Sequence, residues 1–143
     1  MKVCIIGNGG REHALAWKLH HSPSVTDVYV VSGNAGMTSI ATVVNLDWKN
    51  RDTLLAWLLE YKIDLVVVGP ELPLVEGLSD AIRAVGIPVF GPSEAASRLE
   101  GSKSFAKELM RRYEIPTAKY EVCQDVETGK GIIHQCGVPI VLK

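Results

Sequence analysis

One stretch near the amino terminus limits the fold more than any other. The apolar run Val3-Cys4-Ile5-Ile6 breaks abruptly into Gly7-Asn8-Gly9-Gly10, and Arg11-Glu12-His13 follow. A buried strand that runs straight into a glycine turn and a helix is the opening unit of a wound α/β sheet. The glycines allow positive φ and a close approach of the backbone to a ligand. The first amides of the helix have no intrahelical acceptor, so an anion is the expected guest.

The chain downstream keeps the same rhythm. Glu12 to His21 places Leu15 and Leu19 on one face and stops at Ser22-Pro23, which predicts a helix. Val28-Tyr29-Val30-Val31 and Thr42-Val43-Val44-Asn45-Leu46 read as strands. Asn50 is placed to cap a helix over Arg51 to Tyr61, and Leu65-Val66-Val67-Val68 is apolar on both faces, as in a central parallel strand. A helix from Leu74 to Val85 and a strand at Pro88-Val89-Phe90 complete the pattern. The expectation is an α/β fold with a doubly wound, mostly parallel five-stranded sheet. Gly7-Asn8-Gly9-Gly10 and Gly69-Pro70-Glu71 would share its carboxyl edge.

From Ser93 two helical segments, Ser93 to Leu99 and Ser102 to Tyr113, follow each other with no strand between. A domain boundary is expected there, with a first domain over 1–101 and the start of a second over 102–143. Beyond it, Lys119 to Cys123 reads as a strand, Asp125 to Cys136 as a helix weakened by Gly129 and Gly131, and Val138 to Lys143 as a strand. A closing strand with nothing after it suggests a truncated chain.

Composition removes several function classes. A formal charge of −1 over 143 residues gives no footprint for nucleic acid or an anionic membrane, so a small polar substrate is expected. Cys4, Cys123 and Cys136 follow no metal spacing and read as reduced thiols. The first apolar run is too short for a signal core or a membrane span, and a cytoplasmic location is expected. His20 and His21 project about a third of a turn apart and read as surface. His13 stands either beside the ligand or against Trp17. Trp48 and Trp57 read as padding for the helix that follows Asn50.

A dinucleotide is the first guest a glycine turn suggests, but GxGxxG places its third glycine where this chain has Glu12. The second strand also ends Val31-Ser32-Gly33-Asn34, without the acid that would hold a ribose diol. No glycine-rich loop carries the Lys-Ser or Lys-Thr pair of a P-loop. What remains is a turn suited to one phosphate. Its amides and Arg11 would bind the oxygens, Glu12 would take a hydroxyl or amine, and Glu71 would take a ribose diol. The bland alternative is a plain strand-to-helix turn with Arg11 and Glu12 exposed.

Four segments in order carry a resemblance: Gly7-Asn8-Gly9-Gly10-Arg11-Glu12-His13-Ala14-Leu15-Ala16-Trp17-Lys18, Gly33-Asn34-Ala35-Gly36, Val68-Gly69-Pro70-Glu71 and Leu99-Glu100-Gly101-Ser102-Lys103. Together they resemble the amino-terminal part of the glycinamide ribonucleotide synthetase family, the phosphoribosylamine–glycine ligases. The resemblance implies a Rossmann-like, pre-ATP-grasp domain followed by the beginning of an ATP-grasp domain. It implies a reaction of purine biosynthesis: ATP phosphorylates the glycine carboxylate, and the amine of 5-phosphoribosylamine attacks the glycyl phosphate.

By the same resemblance Gly7, Asn8, Gly9, Gly10, Arg11, Glu12, Gly69, Pro70 and Glu71 would hold phosphoribosylamine, and Lys103 and Lys143 would face ATP. Mg2+ or Mn2+ would be bound by residues beyond Lys143, which leaves no catalytic residue in this chain. The chain then reads as roughly the first third of a monomeric enzyme, inactive by itself. The alternatives are an NAD(P)-dependent oxidoreductase domain and a non-enzymatic phosphosugar-binding module.

Overall fold

The computed structural model describes residues 1–142; the expected strand end and ATP contact at Lys143 lie outside the described residues. The chain divides into two compact units, Met1–Gly101 and Ser102–Lys143.

The first unit runs β1 (Lys2–Ile6), α1 (Gly10–His20), β2 (Asp27–Val31), a 3-10 turn (Ala35–Met37), β3 (Thr42–Val44), α2 (Arg51–Glu60) and β4 (Leu65–Val68). It continues with α3 (Glu71–Val75), α4 (Leu78–Ala84), β5 (Val89–Phe90) and α5 (Glu94–Gly101). All five strands are parallel, in the order β3-β2-β1-β4-β5. Strand order therefore reverses between β1 and β4. Ile6 sits in register with Val68, so Gly7 and Gly69 leave the sheet side by side at the switch point. This is the α/β doubly wound sheet that the strand pattern implied.

Both faces of the sheet are covered, because β1 alternates. Cys4 and Ile6 point into a core with Leu54 and Leu58 of α2 and Ile82 of α4. Val3 and Ile5 face the other way, toward Ala16 of α1 and Met37 of the 3-10 turn. Complete burial pushes the Cys4 thiol up to about 12, so it stays protonated and inert. Asn50 caps α2, its Oδ1 accepting the Thr53 N–H at 3.3 Å. Trp57 packs edge-on to Tyr29 with centroids 5.6 Å apart and stacks on Tyr61 at 4.6 Å, which accounts for it as padding.

The single helix expected over Leu74 to Val85 is two. α3 starts earlier, at Glu71, and the chain breaks at Gly77, whose φ is +78° and whose Cβ position would lie 2.6 Å from Glu94 Oε2. Pro73 is tolerated because the first-turn amides have no helical acceptor to lose. Glu71 is thus the first residue of a helix rather than part of a loop.

The second unit contains α6 (Lys103–Arg112), capped by Ser102 Oγ on the Phe105 amide at 3.3 Å, and α7 (Val126–Cys136), capped by Asp125 on the Thr128 amide at 2.8 Å. Lys107 donates to Thr117 Oγ1 at 2.6 Å and to the Ala118 carbonyl at 3.0 Å, holding the segment after α6. The strands expected at Lys119 to Cys123 and from Val138 onward are not formed among the described residues. Their β-prone composition has no partner edge within the described unit, and a lone strand leaves its backbone groups unpaired.

Candidate functional site

The two glycine turns meet where the strand order reverses. Gly7 N–H donates to the Val31 carbonyl at 3.1 Å and Gly69 N–H to the Ile6 carbonyl at 3.2 Å, so each turn begins on a fixed ladder bond. Gly7 has a φ of +128°, a conformation that a side chain would strain. α1 then starts at Gly10, so the first-turn amides of Gly10, Arg11 and Glu12 have no intrahelical acceptor.

Glu12 is not where an exposed turn would put it. It is only 3% exposed, and its Oε2 accepts the Gly9 N–H at 2.7 Å, closing the helix end with its own side chain. Three glycines make room for it. A Cβ at Gly7 would lie 2.7 Å from Glu12 Cγ, one at Gly9 would lie 2.7 Å from Oε2, and one at Gly69 would fall on the carboxylate. The third glycine of a dinucleotide fingerprint lets helix and strand pack closely; here a carboxylate takes that space, and Gly69 on the neighbouring strand end supplies the clearance. The other oxygen, Oε1, is buried with no hydrogen-bond partner among the described residues, and Arg11 Nε lies 3.9 Å from it. A buried acceptor left open in this way is destabilising until a donor reaches it.

Arg11 and Glu71 face each other across the two turns, Nη2 to Oε2 at 3.3 Å, with both side chains largely exposed. The Glu71 carboxyl is held below the usual carboxylate range, first by its own backbone N–H and then by the Arg11 guanidinium. A lowered folded-state value means that this contribution is present above the ordinary glutamate range and lost as pH falls through the depressed value. Glu71 is therefore an ionised acceptor at neutral pH. Exposed ion pairs contribute little, so an anionic ligand can take Arg11 from Glu71 without unfolding anything.

The remaining turn residues divide by role. Gly10 has open space around its Cβ position, so nothing in the protein requires a glycine there; the bare backbone lies at the exposed helix start. Pro70 packs against Gly7 and is the N-cap of α3. His13 lies neither free nor on Trp17. Its ring stands against Gly36, while Trp17 pairs with His21 at a centroid distance of 4.7 Å. His20 and His21 are exposed.

Sequence reasoning gave no role to Asn34. Its Nδ2 donates to the Asn8 carbonyl at 2.8 Å and its Oδ1 accepts the Gly36 N–H at 2.9 Å, tying the loop after β2 to the glycine turn. The Gly-Asn-Ala-Gly spelling was a signal of an Asx turn, though not of its target. An open groove at the ends of β2 and β3, lined in part by Ser32, Gly33 and Asn45, is the rival place for a ligand. Ser32 Oγ is already committed there to the Leu46 carbonyl at 3.2 Å.

In the second unit, Lys103 is the first residue of α6 and is exposed, with no ion pair among the described residues. A lysine at a helix start opposes the dipole, which suits an anionic partner. No group of three or more His, Cys, Asp or Glu side chains able to hold a metal occurs among the described residues. No helix among them is long and apolar enough to cross a membrane.

Comparison with known proteins bears on these observations. Residues 1–100 match the N domain of phosphoribosylglycinamide synthetase, and residues 101–143 match the ATP-grasp (A) domain of the same family. Proteins named phosphoribosylamine–glycine ligase from Mesorhizobium japonicum and Agrobacterium fabrum are 52% and 51% identical over the whole chain, which covers 34% of each. The chain thus spans about a third of the length of these curated relatives. A solved phosphoribosylamine–glycine ligase from Thermotoga maritima superposes with a TM-score of 0.72 at 30% identity, over 94% of this chain and 30% of that one.

Proposed function

The chain belongs to the phosphoribosylglycinamide synthetase family, and on that footing we propose that its switch point holds 5-phosphoribosylamine for ATP-dependent amide formation with glycine. The observation that carries the reading is the meeting of Arg11 and Glu71 at 3.3 Å, with the same guanidinium 3.9 Å from a Glu12 Oε1 that accepts no hydrogen bond among the described residues. Cation, diol acceptor and a further buried acceptor then lie on two adjacent turns.

The roles follow from charge. The amides at the start of α1 and the Arg11 guanidinium bind the phosphate oxygens, giving charge-assisted hydrogen bonds with bidentate geometry. Glu71 accepts from the ribose hydroxyls, and Glu12 Oε1 takes a single hydroxyl or amine donor. Glu12 and Glu71 supply two negative charges against the one positive charge of Arg11, which favours a ligand bearing several donors over bare phosphate. ATP supplies the phosphoryl group that makes the glycine carboxylate an acylating agent, and Lys103 and Lys143 are assigned to its phosphates. The metal ligands, Mg2+ being the expected ion, are assigned outside the described residues, so no step is routed through them. A monomer in the cytoplasm is part of the same reading.

An oxidoreductase reading is not favoured, because Glu12 fills the position a dinucleotide needs empty. Calorimetric titration of the chain tests the choice, with ribose 5-phosphate standing in for the labile amine. Saturable heat with the sugar phosphate and none with NADH is the expected result. Tight NADH binding with no response to the sugar phosphate would overturn it.

A further inference from the structure

The peptide unit between Asn8 and Gly9 is held from both sides. Its carbonyl accepts from Asn34 Nδ2 at 2.8 Å, and its N–H donates to Glu12 Oε2 at 2.7 Å. The two grips come from different elements, the loop after β2 and the first turn of α1. A peptide plane fixed at both ends cannot rotate without breaking two hydrogen bonds, one of them to a carboxylate.

Asn34 is itself pinned. Its Oδ1 receives the Gly36 N–H at 2.9 Å, and a Cβ on Gly36 would lie 2.9 Å from His13 Cε1 and 3.2 Å from Asn34 Oδ1. Met37, fully buried in the core, anchors the turn that carries Gly36. His13 belongs to the helix whose amino end carries the amides assigned to the phosphate, so the clasp closes back on that helix.

We propose that Asn34 is a positioning residue for the sugar-phosphate site: by holding the Asn8 carbonyl it fixes the plane that sets the direction of the Gly10 and Arg11 amides, while touching no ligand itself. The inference rests on the proposed substrate site. It deepens that reading by naming what preorganises the turn. Without the clasp, the turn would have to be ordered by the ligand, and affinity would fall.

Asn34→Asp is the discriminating substitution. It keeps the shape and the acceptor for Gly36 but loses the donor and sets a carboxylate against the Asn8 carbonyl. Ribose 5-phosphate affinity is expected to fall by about tenfold, with the melting midpoint nearly unchanged. The Gly9 amide resonance is expected to shift in the ligand-free protein, since its bond to Glu12 depends on the same peptide plane. Unchanged affinity, or an unmoved Gly9 amide, would overturn the assignment. If wild-type protein binds no ribose 5-phosphate, the substrate reading fails, and the Gly9 amide still decides whether Asn34 holds the turn.

Discussion

Gly69→Ala is expected to be among the most damaging single substitutions in the first unit, even though it adds only one methyl group. The added Cβ would lie 2.5 Å from Glu12 Cγ. Glu12 has nowhere to go, because Gly7 and Gly9 already give it all the space they have. Overpacking of this kind costs about 1–3 kcal/mol, and tearing Oε2 from the Gly9 N–H adds about 1.5–3 kcal/mol for a bond to a charged group. Small domains have about 5–15 kcal/mol in total. A fall in melting midpoint of more than about 10 °C is expected in thermal unfolding followed by circular dichroism. The double variant Gly69→Ala, Glu12→Ala removes the side chain that is struck, so it is expected to recover much of the loss and to show strong non-additivity. Wild-type melting of Gly69→Ala would mean that Glu12 does not sit between the two turns.

Reversing the charge of Arg11 has the opposite profile. Its side chain is 73% exposed and its closer ion pair, to Glu71, lies on the surface, so Arg11→Glu is expected to lower the melting midpoint far less than Gly69→Ala does, the cost coming from the lost 3.9 Å approach to the buried Glu12 Oε1. Ligand affinity is another matter. The substitution removes the cation that the proposed site sets against a phosphate and leaves the carboxylates of residues 11, 12 and 71 together. Loss of a charge-assisted contact together with new repulsion is expected to weaken ribose 5-phosphate binding by about a hundredfold. Arg11→Lys should fall between, since a lysine keeps the charge without the planar fork. Equal affinity in Arg11→Glu and wild type would place the phosphate elsewhere.

Much of this was legible from local pattern. The run Val3 to Ile6 announced a buried strand, Leu65 to Val68 announced a central one, and Asn50 announced a helix start, because each signal depends only on near neighbours. The failure of the dinucleotide fingerprint at Glu12 was equally plain. Where that side chain goes was not legible, because its room comes from Gly69, far away in sequence and adjacent only once β1 and β4 pair. Asn34 was missed for the same reason: its target, Asn8, lies across the sheet edge. The break at Gly77 is a left-handed glycine helix stop, φ +78°, which the apolar spacing over Leu74 to Val85 had outweighed. The strands expected near Lys119 and Val138 were read from β-prone composition, which reports a surface suited to pairing and not the presence of a partner.

The central claim is that the carboxyl edge between β1 and β4 holds a phosphorylated ribose. Amide nuclear magnetic resonance of the labelled chain, titrated with ribose 5-phosphate and separately with NADH, tests it residue by residue. The sugar phosphate is expected to shift the amides of Asn8, Gly10, Arg11, Glu12 and Glu71 together, on one saturation curve, with NADH leaving them in place. Shifts confined to Ser32, Gly33 and Asn45 at the ends of β2 and β3, or a response of the glycine turn to NADH alone, would contradict it.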